Sequence, residues 1–322
     1  MRIETTRSAA AVRLRHAAAF HGSPDDLLAQ LVPLVTAALE RGEPVAAAVT
    51  ERTEEALRER IGRPAGLILL GQPYGPDSGS GQTVAARRAR QLREIAASSA
   101  LGPGGRVTAV SEHTSRLDGL DGAFWTELDA AANVAMAELP LTLTCFFPEL
   151  PLHVAILDGA RGNHPFLLDG GELRHNPAHR DPRAVLVERP APAPVLLGPP
   201  DHRLTFSAWQ LHEVRAVLEG ALLAAGYERA RAEDVALAVN EVATNAVEHG
   251  SPQAELALWA AGDGIVCEVH DRGRLRDPLP GLQAPHPSDA RGRGLWIARQ
   301  ICETLHVWAD ASGTHVRIRA AP

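Results

Sequence analysis

The residues best suited to chemistry lie in the stretch Ala230 to His249, which reads as a helix. At about 100° per residue, Val235, Val239, Val242 and Ala246 form one apolar stripe, and Glu241 and Asn245, one turn apart, stack along its flank. Asparagine offers a neutral carbonyl oxygen to a hard cation such as Mg²⁺, whose remaining ligands would be waters and substrate phosphates. Glutamate can orient or deprotonate an attacking hydroxyl. The same pair also suits the solvated edge of an ordinary amphipathic helix, so the helix alone leaves both readings open.

Further groups follow in order. The strand Ile265 to His270 alternates inward Ile265, Cys267 and Val269 with outward Val266, Glu268 and His270, and ends on Asp271-Arg272-Gly273. An aspartate there can accept a hydrogen bond from an adenine amino group, while the glycine lets the base approach the backbone. Gly292 and Gly294 open a helix whose first amides and positive dipole end would face a phosphate chain, with Arg291 and Arg293 beside them. Gly313-Thr314 leads the last strand.

Other candidates carry bland readings that fit them better. His249 ends the motif helix, where an imidazole complements the dipole, and His212 lies early in a helix with no heptads before it. Ser78-Gly79-Ser80-Gly81-Gln82-Thr83 resembles a phosphate loop but reads as an ordinary flexible connection. His16, Phe20 and His21 read as a packed approach to the first capped helix rather than a ligand site.

Composition limits the chemistry. All 32 basic side chains among the 322 residues are arginine. The absence of lysine excludes a P-loop phosphate lysine, a kinase strand lysine, a pyridoxal Schiff base and a biotin attachment point. The net charge of −7, with arginine mixed among acidic residues, gives no basic stripe for nucleic acid. Cys145, Cys267 and Cys302 are far apart and set in apolar stretches, so they read as buried thiols in a reducing compartment, without a disulfide framework or a CxxC metal site. No apolar run is long enough to span a bilayer and no leader is visible, so a soluble, cytoplasmic protein is expected.

The elements that must position these residues fall into two parts. Five prolines in the twelve residues Arg189 to Pro200 mark a semi-rigid linker between a domain at 1–188 and one at 201–322. In the first, helices alternate with the strands Glu43–Thr50, Gly66–Gly71, Arg106–Ser111 and Leu141–Phe147, which predicts a mostly parallel three-layer α/β sheet. A helix there starts at Ser23-Pro24 with Asp25 and Asp26 in its first turn. In the second, helices at Trp209–Ala225 and Ala230–His249 precede strands at Ala254–Ala260 and Gly264–His270. A helix at Gly294–Glu303 and strands at Leu305–Asp310 and Thr314–Arg319 follow, which predicts an α+β sandwich with helices on one face of a mixed sheet.

The ordered set Glu241-x-x-x-Asn245, Asp271-x-Gly273, Gly292-x-Gly294 and Gly313-Thr314 resembles the ATP-binding domain of the GHKL superfamily (gyrase, chaperone, histidine kinase and MutL; the Bergerat fold or HATPase domain). Within it, Ala238 to Gly250 (AVNEVATNAVEHG) and Gly292 to Arg299 (GRGLWIAR) are similar to the anti-sigma-factor serine kinase branch. The resemblance implies a two-layer sandwich that binds ATP and Mg²⁺, with Asn245 as metal ligand, Glu241 acting on the attacking hydroxyl and Asp271 reading adenine. Gly273 would admit the base, Gly292, Arg293 and Gly294 would meet the phosphates, and Thr314 would sit near the adenine. Leu275 stands where the family has a second glycine. His16 with Phe20, Ala38 to Thr50, Pro140 to Phe147, and His164-Pro165 through Asp181-Pro182 resemble the MEDS sensory domain of methanogen and methylotroph regulators, implying a RecA-like core that senses a small molecule. Pro148 replaces that family's aspartate after Cys145. Together these imply an anti-sigma factor and serine/threonine kinase that partners a sigma factor or a STAS-type anti-anti-sigma protein, expected as a homodimer, with no direct nucleic-acid or membrane contact. The alternatives are a non-catalytic binding module that regulates by docking alone and, further off, a histidine kinase-like protein.

Overall fold

A computed structural model describes residues 13–72, 80–99, 101, 105–113, 122–150, 152, 154–285 and 293–322. In chain order the elements are β1 (Leu14–His21), α1 (Pro24–Glu40), β2 (Val45–Ala48), α2 (Glu51–Ile61), β3 (Leu67–Leu69), α3 (Gly81–Ser98), β4 (Val107–Glu112), α4 (Ala123–Ala135), β5 (Leu141–Pro148), α5 (Val154–Asn163), β6 (Phe166–Asp169) and β7 (Glu172–His175). Then come α6 (Pro182–Glu188), β8 (His202–Phe206), α7 (Leu211–Ala224), α8 (Arg229–Asn245), β9 (Ala254–Ala261), β10 (Gly264–Asp271), α9 (Gly294–Ile301), β11 (Thr304–Asp310) and β12 (Gly313–Ala320). The chain divides into two compact units: Met1–Gln72 with Ala89–Gly119 and Met136–Arg180, and Pro73–Arg88 with Leu120–Ala135 and Asp181–Pro322. The domain limits 1–188 and 201–322 stand beside this division as a proposal. Among the described residues no helix is long and apolar enough to cross a membrane.

The first unit holds a seven-stranded sheet in the order β3-β2-β4-β5-β1-β6-β7, parallel except for the β6–β7 hairpin. Strands such as β2 (VAAA) are buried along their whole length, as parallel strands covered on both faces must be. The start of α1 is as expected: the Ser23 hydroxyl accepts from the Asp26 amide at 3.1 Å. The sequence did not disclose β1. Its residues LRHAAAFH include no β-branched side chain, so propensity is silent, yet the strand runs through the sheet between β5 and β6. His16, Phe20 and His21 therefore sit on a sheet strand and not on a chain segment leading into α1.

The second unit holds a five-stranded sheet in the order β11-β12-β10-β9-β8. Every pairing in it is antiparallel, so the mixed sheet expected from the helix and strand order does not form. The reason is that β9–β10 and β11–β12 are successive antiparallel pairs, and β8, which the sequence reading did not contain, adds as an antiparallel edge. Val214, Leu218 and Leu222 of α7 and Val235, Val239 and Val242 of α8 pack with Leu256, Leu258, Ile265, Cys267 and Ile318 into one core. Arginine does the stapling. Arg231 donates to the carbonyls of Ala321 (3.0 Å) and Ile301 (2.9 Å) and to Glu303 (2.8 Å). Arg299, 3% exposed, donates to Pro280 O, Leu305 O and Gln82 Oε1. Ser80, Gln82 and Thr83 are buried, and Thr83 and Gln82 bond the backbone of Leu305 and Val307, so this part of the Ser/Gly stretch is packed rather than a flexible connection. Ser78 and Gly79 lie outside the described residues.

Tyr227, 4% exposed, caps the end of the β10–β12 ladder: its hydroxyl donates to Ala320 O and accepts from the Ile265 amide at 2.8 Å. Tyr227→Phe leaves both backbone groups short of a partner. It is expected to lower unfolding stability by about 1–3 kcal/mol per group left unpaired, read as a shifted denaturation midpoint.

Candidate functional site

α8 buries Ala232, Val235, Ala236, Ala238, Val239, Val242 and Ala243 and leaves Glu241 and Asn245 half-buried on its flank, as the periodicity predicts. The helix was expected to continue to His249. Instead residues Ala246–Gly250 form a π turn, with the Ser251 amide donating to Ala246 O at 3.0 Å. Such widened turns recur at functional sites.

The turn delivers Gly250 to Asp271. A Cβ at Gly250 would lie 2.1 Å from Asp271 Oδ1, one at Gly273 would lie 2.6 Å from the same oxygen, and one at Gly313 (φ 142°) would lie 1.9 Å from the Asp271 carbonyl oxygen. Two glycines therefore close on the Asp271 carboxylate and a third on its backbone carbonyl, at positions where any other residue would collide. The Gly273 amide donates to Asp271 Oδ1 at 2.6 Å, and the Thr314 hydroxyl donates to Gly273 O at 3.1 Å, across the Asp271–Thr314 pair of β10 and β12. Asp271 is 7% exposed, and burial raises its pKa above the usual aspartate range against the opposing pull of the Gly273 amide.

A cavity of about 350 Å³ opens beside this carboxylate. Asn245, Asp271, Gly294 and Thr314 line it together with apolar Val242, Val269 and Val316. Gly273 joins through its bonds to Asp271 and Thr314. Glu241 is not among the lining residues: its carboxylate packs on the start of α9, where a Cβ at Gly294 would lie 2.3 Å from Glu241 Oε2. Arg293 is the exposed N-cap of α9, and Gly292 and Arg291 lie outside the described residues. Leu275 lines the cavity and also packs on the core. The sequence reading did not single out Gly250 or Gly281, which line the same cavity. Gly250 could have been found as the last residue of the quoted helix motif, whereas Gly281 has no signal beyond a Gly/Pro-rich loop.

Residues 204–320 match the family described as the histidine kinase-like ATPase domain. The chain carries that ATPase domain. Residues 15–165 match the MEDS family, the methanogen/methylotroph, DcmR sensory domain, so the ATPase domain follows a sensory one. Among solved structures, the RsbU and RsbW domains of Rv1364c from Mycobacterium tuberculosis match at 22% identity with a TM-score of 0.27, over 41% of this chain and 34% of that one. This chain thus spans about a third of that structure's length.

Two outcomes follow from the geometry of the ATPase domain. A carboxyl whose pKa is raised on folding contributes stability that is present below its unfolded value and lost as pH rises through the folded one. At pH 7 the ionised Asp271 is therefore a cost, and Asp271→Asn is expected to keep or raise the unfolding midpoint, with the difference from wild type shrinking on acidification. Gly313→Ala should lower the midpoint, while Gly220→Ala, inside α7 where a Cβ meets nothing within 4 Å, should raise it through a gain of about 0.5–1 kcal/mol in stability. Thermal or urea melts of the variants check both.

Proposed function

We propose that the protein is an ATP- and Mg²⁺-binding regulator. In this reading it is an anti-sigma factor with serine/threonine kinase activity on a STAS-type anti-anti-sigma partner, controlled by its sensory domain. The observation that carries the proposal is the convergence of Asn245, Asp271, Gly294 and Thr314 on one cavity of the ATPase domain. The wording of residues 238–250 and 292–299, similar to the anti-sigma serine kinase branch, supports the choice of acceptor.

Each residue has a task that suits its chemistry. The buried Asp271 carboxylate accepts from the adenine amino group, and the glycines around it leave room for a flat ring against Val269 and Val316. The amides at the start of α9 offer donors to phosphate. The hard amide oxygen of Asn245, on the cavity wall, fits Mg²⁺, which when bound supplies charge neutralisation for the phosphates. Glu241 orients the attacking serine or threonine hydroxyl and takes its proton.

A second reading, a module that regulates by docking without phosphoryl transfer, is favoured by two observations. Glu241 stands off the cavity wall against Gly294, and Leu275 is fastened to the core where the family has a glycine. Labelled ATP, Mg²⁺ and candidate anti-anti-sigma partners separate the two. Asn245→Ala is expected to lose Mg-ATP binding, and Glu241→Ala to keep binding while transfer falls by about 10²–10⁴-fold. Binding without transfer to any partner selects the docking module, and acid-labile label on the protein itself selects histidine autophosphorylation. If calorimetry detects no Mg-ATP binding, the nucleotide reading fails.

A further inference from the structure

The first unit contains a cluster of chemical groups outside the ATPase domain. His16 lies on β1, Cys145 on β5, and His164 directly after α5. In the parallel β1–β5 ladder His16 pairs with Leu143 and Ala18 with Cys145, so His16 and Cys145, two residues apart in register, project from the same face. His16 and His164 are 0% exposed and Cys145 is 4% exposed. Their donor atoms lie within 4.8 Å of one another.

The spacing fits a shared metal ion. Cys145 Sγ stands 3.5 Å from His16 Nε2. Tetrahedral Zn²⁺ with Zn–S of about 2.3 Å and Zn–N of about 2.1 Å places sulfur and nitrogen about 3.6 Å apart. The His16 and His164 rings sit with centroids 4.0 Å apart and tilted by 52°, so they meet at an angle and do not stack.

His164 is oriented as ligating histidines are. Its Nδ1–H donates to Ala160 O at 2.7 Å, which fixes the tautomer and leaves the lone pair on Nε2. That Nε2 is buried and has no hydrogen-bond partner. A buried acceptor without a donor carries a desolvation cost that a metal ion would remove.

We propose that His16, Cys145 and His164 bind one divalent transition-metal ion of borderline softness, Zn²⁺ by class, through two imidazole nitrogens and a thiolate. Oxygen-seeking Mg²⁺ and Ca²⁺ are poorly served by this donor set. The fold thus gathers these metal-ligating side chains inside the region that matches the MEDS family.

The test uses the full-length chain, reduced and stripped by chelator, titrated anaerobically with Co²⁺. The expected result is a thiolate-to-cobalt charge-transfer band that saturates at one equivalent per chain and is bleached by one equivalent of Zn²⁺. Cys145→Ser should abolish the band, Cys302→Ser should leave it unchanged, and His164→Gln should weaken Zn²⁺ binding by at least about tenfold. Cobalt held by the oxygen donors around Asn245 gives no thiolate band, so the ATPase site does not mimic the signal. No band in the wild type, or an undiminished band in Cys145→Ser, overturns the proposal. Should Cys145→Ser not fold, zinc-edge X-ray absorption of the wild type decides: one sulfur and at least two nitrogen neighbours support the site, and any other set overturns it.

Discussion

The ATPase domain is organised around a carboxylate placed where a carboxylate is expensive. Asp271 is nearly closed off from water: Gly250 of the π turn and Gly273 of the loop after β10 crowd its carboxylate, and Gly313 of the turn before β12 crowds its backbone carbonyl. One amide, that of Gly273, answers Oδ1, which leaves acceptor capacity facing the cavity. A buried polar group that is only partly satisfied is kept when its remaining valence has a partner elsewhere. The antiparallel sheet serves this arrangement, because the β10–β12 ladder holds Asp271 opposite Thr314 and hence holds the Gly273 carbonyl under the Thr314 hydroxyl.

Much of this was legible in the chain. The alternation of β10 gave the burial of Ile265, Cys267 and Val269 residue by residue, and the 3.6-residue stripe of α8 gave its buried face. Ser23 capped its helix as its type and position require. Legibility ended where local signals are weak. An alanine-rich strand, β1, has the composition of a helix and is held as a strand by its neighbours in the sheet. A π turn differs from an α turn by one residue and leaves no mark in composition. The flank of α8 that carries Glu241 was readable, but its packing on Gly294 rather than along the cavity depends on where α9 starts, which no spacing rule supplies.

The same limit explains how the His–Cys cluster escaped a reading of cysteine spacing. Metal motifs are recognisable when their ligands are close in sequence, as in CxxC. Here the three donors come from positions 16, 145 and 164, and only the parallel pairing of β1 with β5 and the return of the chain after α5 bring them together. Lysine, by contrast, is absent everywhere, and its structural duties fall to guanidinium groups. Arg299 is buried enough that its pKa drops to about 10, yet its planar fork still reaches three separate oxygens from one position. A point-charge ammonium would not hold the same three directions at once.

The π turn at Ala246–Gly250 also sets a rule about length. One additional residue in a helical turn shifts the angular phase of everything after it, so Gly250 faces Asp271 only because the turn holds five residues where an α turn would hold four. Single-residue deletion between Asn245 and Gly250 would return the segment to α register and swing a side chain into the Asp271 carboxylate. The helix end is therefore constrained in count as well as in residue type, and chains sharing this site should tolerate substitution at Val247 or Glu248 far better than any change in the number of residues there.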